Sequence, residues 1–167
     1  MSFSLLPTIM VPSVTQLTPE FLGSKGIQLL MLDFDNTIVP YTTDTPTQEM
    51  AAWLEAMKAS SIQLCVVSNS KRDRVKIFCS RLGIPCITHA KKPFSKGIRE
   101  CLQKFGLSAE HCALAGDQIY TDTLGANGCG VQSILVKAID NHNIWLKLRH
   151  VAELPFIFAA RKRRVKL

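Results

Sequence analysis

The sequence predicts an α/β domain of three layers, a parallel sheet with helices on both faces, and no cap domain inserted into it. Three observations predict it. Apolar runs of strand length recur along the chain and each passes into polar residues at its end, as in GIQLLMLDFD (26–35) and IQLCVVSNS (62–70). Continuous apolar runs mark strands buried on both faces, which is the state of a parallel sheet. Helical segments lie between these runs, two of them stopped by Gly83 and Gly106. The chain has 167 residues, enough for one sound core and short for two.

The elements follow in order. Residues 1–25 form an N-terminal lead with prolines at 7, 12 and 19. A strand is expected over 26–35. A helix follows over 47–60, starting near Thr45 or Thr47, with Met50, Trp53, Leu54 and Met57 on one side. Next come a strand at 62–70, a helix at 71–82, a short strand PCIT at 85–88 and a helix at 94–105. CALAGD (112–117) is a strand, 119–127 is helical, and VQSILVK (131–137) is the last strand. The core of the single domain thus spans 26–137, and residues 138–167 form a basic, partly helical tail. Strands alternating with helices at this spacing pair in parallel, and such sheets bind ligands beyond the carboxyl ends of their strands.

Composition excludes several classes. Hydrophobic residues make up 47% and charged residues 20%, which rules out wholesale disorder. The net charge of +7 suggests a nucleic-acid partner until it is located: residues 1–136 carry 12 Lys+Arg against 11 Asp+Glu, and residues 137–167 carry 8 against 2. The basicity belongs to the tail, so nucleic acid is not the expected partner of the domain body. Six cysteines without a CxxC pair imply free thiols in a reducing compartment and neither zinc nor redox chemistry. The apolar start MSFSLLPTIMVPS has no basic residue before Lys25, unlike a secretory signal or transit peptide. No uncharged run approaches the ~20 residues of a membrane-spanning helix. A cytoplasmic protein is expected, with peripheral membrane contact left open. His89, His111, His142 and His150 have no ligand spacing and receive no role.

The strongest chemical signal is DFDNT at 33–37. A buried strand has no packing reason to end in two carboxylates, since each is costly to desolvate without a partner. Asp33 and Asp35 could still be ordinary loop or helix-capping aspartates. Three further pieces, at the ends of later elements, point to a site. Ser68 and Asn69 offer a hydroxyl and an amide to a phosphoryl oxygen. Lys92, in AKKPFSKG, offers an ammonium, with Lys91 as the weaker candidate. Asp117 and Asp122 stand in GDQIYTD. Asp33 and Asp117 together would make an all-oxygen site suited to magnesium.

DFDNT, the strand ending VVSN, KKP and GDQIYTD, in this order, resemble the four motifs of the haloacid-dehalogenase (HAD) superfamily of phosphohydrolases over residues 26–137. LDFDNTIVPY, GDQIYTDTLGANGCGVQSILV and the TPEFL-type helix of the lead are similar to the small phosphatidylglycerophosphate phosphatase family. The resemblance implies a Rossmann-like HAD-type sheet and a Mg2+-dependent phosphomonoesterase. It implies Asp33 as nucleophile, forming an aspartyl-phosphate, and Asp35 as general acid–base whose backbone carbonyl also binds the metal. Ser68, with Asn69 beside it, would bind the phosphoryl group, Lys92 would neutralise it, Asp117 would bind the metal, and Asp122 would support the metal shell or Lys92.

The gaps from Asp35 to Ser68 and from Ser68 to Lys92 are too short for the inserted cap with which members of this superfamily usually enclose small metabolites. An open site suits a phosphate projecting from something large, and phosphatidylglycerophosphate is the leading expectation. The tail agrees: Ile144, Trp145, Leu148 and Val151 recur at helical spacing over 143–154, and Pro155 interrupts before FIFAA and a basic end that could meet anionic lipid. A helix packed on the sheet with a solvated basic end is the plainer reading of the same residues. A protein, nucleic-acid or soluble phosphoester substrate is the alternative, and an RNA-binding protein on the same fold is another. Oligomeric state is left open.

Overall fold

In the computed structural model, which describes residues 4–71, 73–140 and 154–159, the first strand is one without a periodic signal of its own. Ile9–Val11 (β1) is three residues long and lies between Pro7 and Pro12. It forms an edge by pairing in parallel with the last strand, Ile9 opposite Ile134 and Val11 opposite Val136. After it come Pro19–Ser24 (α1), Leu29–Leu32 (β2), Gln48–Lys58 (α2), Gln63–Val67 (β3), Arg74–Leu82 (α3) and Cys86–Ile87 (β4). Lys96–Phe105 (α4), Cys112–Gly116 (β5), Leu124–Cys129 (α5) and Gln132–Val136 (β6) complete the core. The six strands are all parallel, in the order β1-β6-β5-β2-β3-β4.

Successive residues of each strand face opposite sides, so the sheet separates two cores. Leu30, Leu32, Leu64, Val66, Ala113, Ala115 and Ile134 pack with residues of α1, α2 and α3, including Leu22, Trp53, Leu54 and Phe78. Leu29, Met31, Cys65, Val67, Cys112 and Leu114 pack with Ile98 and Cys101 of α4 and Ala126 of α5. The layering is therefore the expected one. Helix α2 takes Thr47 as its N-cap, the hydroxyl accepting the Met50 N–H at 3.2 Å, and buries Met50, Trp53, Leu54 and Met57 as their spacing predicts. The Trp53 indole donates to the Leu17 carbonyl at 2.8 Å and ties the lead to this face. Gly83 and Gly106 end α3 and α4 with φ of 65° and 64°, a left-handed turn that only glycine enters without strain.

Two expectations change. The strands are shorter than the apolar runs, because the flanking residues leave the ladder to turn into loops. The helix expected over 119–127 is two pieces, a π-helical turn at Ile119–Thr123 and then α5. Neither gap between the motif segments holds an inserted domain: turn, loop and α2 separate Asp35 from Ser68, and α3 with β4 separate Ser68 from Lys92. All six cysteines are free, and Cys65, Cys79, Cys101 and Cys112 are buried. The expected tail helix at 143–154 lies outside the described residues, save Leu154. Residues 154–159 are helical. Among the described residues no helix is long and apolar enough to cross a membrane.

Candidate active site

The central strands β2, β3 and β5 end side by side, and the residues that follow them meet at one rim. Asp33 continues β2, its N–H bonding the Ala115 carbonyl of β5 at 2.9 Å. Asp117 follows β5 directly. The π-helical turn brings Asp122 back beneath it: the Asp122 N–H reaches the Gln118 carbonyl at 2.9 Å, and Asp122 Oδ2 accepts the Gln118 N–H at 3.1 Å. Gly116 makes this return possible. A Cβ there would stand 2.3 Å from the Asp122 carboxylate, so no other residue fits without displacing it.

Lys92 arrives from the opposite direction. Asn69, at the end of β3, holds the lysine backbone at both ends: Asn69 Oδ1 accepts the Lys92 N–H at 2.7 Å, and Nδ2 donates to the Lys92 carbonyl at 2.8 Å. Gly97 in α4 packs so tightly on Ala90 that a Cβ would meet its side chain at 2.4 Å. Directed in this way, Lys92 Nζ lies 2.6 Å from Asp33 Oδ1 and 2.7 Å from Asp122 Oδ1. All three side chains are buried, whereas Lys91 is exposed.

Charge follows burial. Burial opposes the Lys92 ammonium, but the carboxylates of Asp122 and Asp33 outweigh it and hold the lysine above its ordinary range. Burial, aided by the nearby Asp122 and Asp35 carboxylates, pushes Asp33 up to about 7 against the pull of Lys92. The unfolded value is near ~3.9. Native Asp33 therefore binds its proton more tightly than the unfolded chain does. Its contribution to stability is full below the unfolded value and is lost as pH rises through about 7. Denaturation of the metal-free protein across pH 4–9 is expected to show this decline, and subtracting the profile of Asp33→Asn isolates it.

The donor set fits a small hard cation. Carboxylate oxygens of Asp33, Asp117 and Asp122, all buried, lie within 4.8 Å of one another. The expected ligands Asp33 and Asp117 are thus together, and Asp122 both joins them and anchors Lys92. The Asp35 carboxylate is outside that trio but close enough to disfavour the ionised form of Asp33. Its Oδ1 is 3.4 Å from an Arg74 guanidinium nitrogen. Ser68 is buried at the end of β3, its hydroxyl accepting the Ser70 N–H at 3.0 Å. Asn69, expected to face phosphate, spends its amide on positioning Lys92.

Arg74 was not legible as a site residue, since an arginine at a helix start reads as a solvated cation. Yet it reaches across to the 40–44 loop. It pairs with Asp44 at 2.7 Å and donates to the carbonyls of Tyr41, Pro40 and Thr43 at 3.1, 3.3 and 3.0 Å. Its guanidinium also lies over the Phe34 ring, 5.1 Å from the centroid. One side chain thereby straps the short flap to the loop that bears Asp33 and Asp35.

Comparison with known proteins places the fold and the family. The fold matches the deoxy-D-mannose-octulosonate 8-phosphate phosphatase of Haemophilus influenzae in its cobalt-bound form. The TM-score is 0.54 at 14% identity, over 83% of this chain and 91% of that one. It also matches a HAD-superfamily hydrolase of subfamily IA from Geobacter sulfurreducens PCA, with a TM-score of 0.50 at 12% identity, over 70% and 90%. At such identities the likeness is one of fold. In sequence the chain is 37% identical over 131 residues to the Bacillus subtilis (strain 168) protein called "Probable phosphatase YqeG", covering 78% of this chain and 76% of that one. It is 24% identical to the chloroplastic phosphatidylglycerophosphate phosphatase 1 of Chlamydomonas reinhardtii, covering 80% of this chain and about half (53%) of that one. The fold is that of HAD-superfamily hydrolases. A family model described as mitochondrial PGP phosphatase matches residues 2–139, and the chain belongs to that family.

Proposed function

We propose that the protein is a magnesium-dependent phosphomonoesterase acting through an aspartyl-phosphate on Asp33, with phosphatidylglycerophosphate as its substrate. The observation that carries the chemistry is the buried Lys92 ammonium set 2.6 Å from Asp33 Oδ1 within a group of carboxylates. Phosphoryl transfer depends mostly on positioning and on neutralising charge, and this arrangement supplies both. The Asp33 carboxylate attacks phosphorus, forming an O–P bond while the bond to the substrate alkoxide breaks. Asp35 gives the alkoxide its proton, then takes one from the water that attacks the aspartyl-phosphate and releases phosphate. Lys92 offsets the negative charge gathering at Asp33, and Ser68 is the hydroxyl that binds the phosphoryl group. Magnesium, held by Asp33, Asp117 and the Asp35 carbonyl, would supply the positive charge that keeps Asp33 ionised near neutrality.

The family described as PGP phosphatase, the Chlamydomonas relative named for that activity, and the uncapped site support the lipid substrate. The cationic tail supports contact with an anionic membrane surface. A panel of phosphoesters in mixed micelles, with and without magnesium, tests the reading. Magnesium-dependent phosphate release from phosphatidylglycerophosphate is expected to exceed that from sugar and nucleotide phosphates. Good turnover of the soluble esters with none of the lipid would remove it.

A further inference from the structure

Beside the candidate active site lies an open cavity of about 230 Å³, walled by Pro12, Ser13, Val14, Thr37, Lys137 and Ile139. Its walls are the segments that follow β1 and β6, together with the turn after Asp35. That turn is fastened to them. The Ile139 N–H bonds the Asn36 carbonyl at 3.0 Å, Asn36 Nδ2 bonds the Asp140 carbonyl at 2.7 Å, and the Lys137 N–H bonds the Pro12 carbonyl at 3.3 Å. Strand β6 is two places from β2 in the sheet, roughly 10 Å away, so the cavity sits to one side of Asp33.

Two groups there are donors in want of an acceptor. Thr37 is 2% exposed, and its hydroxyl has no hydrogen-bond partner. A buried hydroxyl left unsatisfied is costly, which argues for an occupant. Lys137 is exposed, and among the described residues no carboxylate pairs with it. A cation and a hydroxyl beside the apolar surfaces of Pro12, Val14 and Ile139 suit an oxyanion carried on a short carbon chain.

We infer that this cavity receives the second, non-scissile anionic group of the substrate, a phosphodiester joined to the scissile monoester by a short polyol. The inference rests on the function proposed above and adds the element that selects such a substrate over a simple monoester. With the monoester at Asp33, the diester reaches sideways past the end of β5 to Lys137 and Thr37, and its lipid chains leave through the open side.

The test compares phosphate release from phosphatidylglycerophosphate with release from p-nitrophenyl phosphate, which has no second anionic group. Lys137→Met is expected to lower kcat/KM for the lipid roughly ten-fold relative to the aryl phosphate, chiefly through KM. Thr37→Val should show a smaller loss in the same direction, and Lys137→Arg should recover most of the selectivity. Lys58, paired with Glu55 on α2, provides Lys58→Met as the control, expected to leave the ratio unchanged. Lys137 is exposed, so its replacement does not threaten folding. If wild type turns over the lipid and Lys137→Met keeps the wild-type ratio, the cavity assignment is overturned while the substrate reading stands. An equal shift in Lys58→Met marks general surface charge and overturns the assignment too. If wild type releases no phosphate from the lipid, the substrate reading fails and the assignment fails with it.

Discussion

Asp33→Asn is expected to lower phosphate release by about 10³-fold or more while leaving a folded protein. The amide keeps an oxygen where Oδ1 accepts from Lys92 at 2.6 Å, so the local packing has no reason to collapse. What disappears is the nucleophile, since an amide cannot form the aspartyl-phosphate. Two measurements check this: turnover, and retention of labelled phosphate on the protein after rapid acid quench. Wild type should trap label and Asp33→Asn should not. Near-normal turnover by the variant would remove Asp33 from the chemistry, and the proposed mechanism with it.

Lys92→Met is the second large effect, and it acts on stability as well as rate. The ammonium stands between two carboxylates at 2.6 and 2.7 Å, with Asp117 in the same cluster. Removing one partner of a buried ion pair costs about 3–5 kcal/mol, because the remaining charge is neither solvated nor neutralised. Here two carboxylates are left. The loss is expected in full at alkaline pH. It should shrink on acidification, since Asp33, already held near about 7 by burial, can then take a proton and leave fewer uncompensated charges. Urea unfolding of wild type and variant at pH 5 and pH 8 decides the matter. Equal destabilisation at both would mean the lysine contributes packing and little charge. Turnover should fall steeply in the variant at either pH, because the ammonium that offsets charge at the nucleophile is gone.

The comparison of sequence with structure turns on where the signal lies. Asp33 was legible because a carboxylate at the end of a buried strand has no packing explanation, whereas Lys92 and Asp122 read singly as a solvated cation and a helix-start acid and became legible only with Asp117 as an ordered set. Their convergence could be expected from the parallel sheet alone, since such sheets gather ligands at the carboxyl ends of their strands. Helix α2 was legible to within two residues at each end, because a threonine cap and four apolar residues at helical spacing agree. β1 was not legible. Three residues between two prolines carry no period, and their strand character comes from Ile134 and Val136, more than 120 residues away.

The use of Asn69 and Arg74 was hidden for a different reason. Both are polar residues at turns or helix starts, where solvent exposure is the ordinary outcome. Only the tertiary course of the chain brings the Lys92 backbone to one and the 40–44 loop to the other. The cavity at Thr37 and Lys137 was hidden likewise, because its walls come from three segments far apart in sequence.

The partnership of β1 with β6 sets the order in which the chain can finish folding. During synthesis Ile9–Val11 is made long before its neighbour in the sheet, the last of the described strands. At about 5–20 residues per second, the 125 residues from Thr8 to its partner Ser133 take roughly 6–25 s to translate. For that interval the apolar Ile9–Val11 has no β6 to pair with, and this edge of the nascent sheet closes only after Val136 has been made.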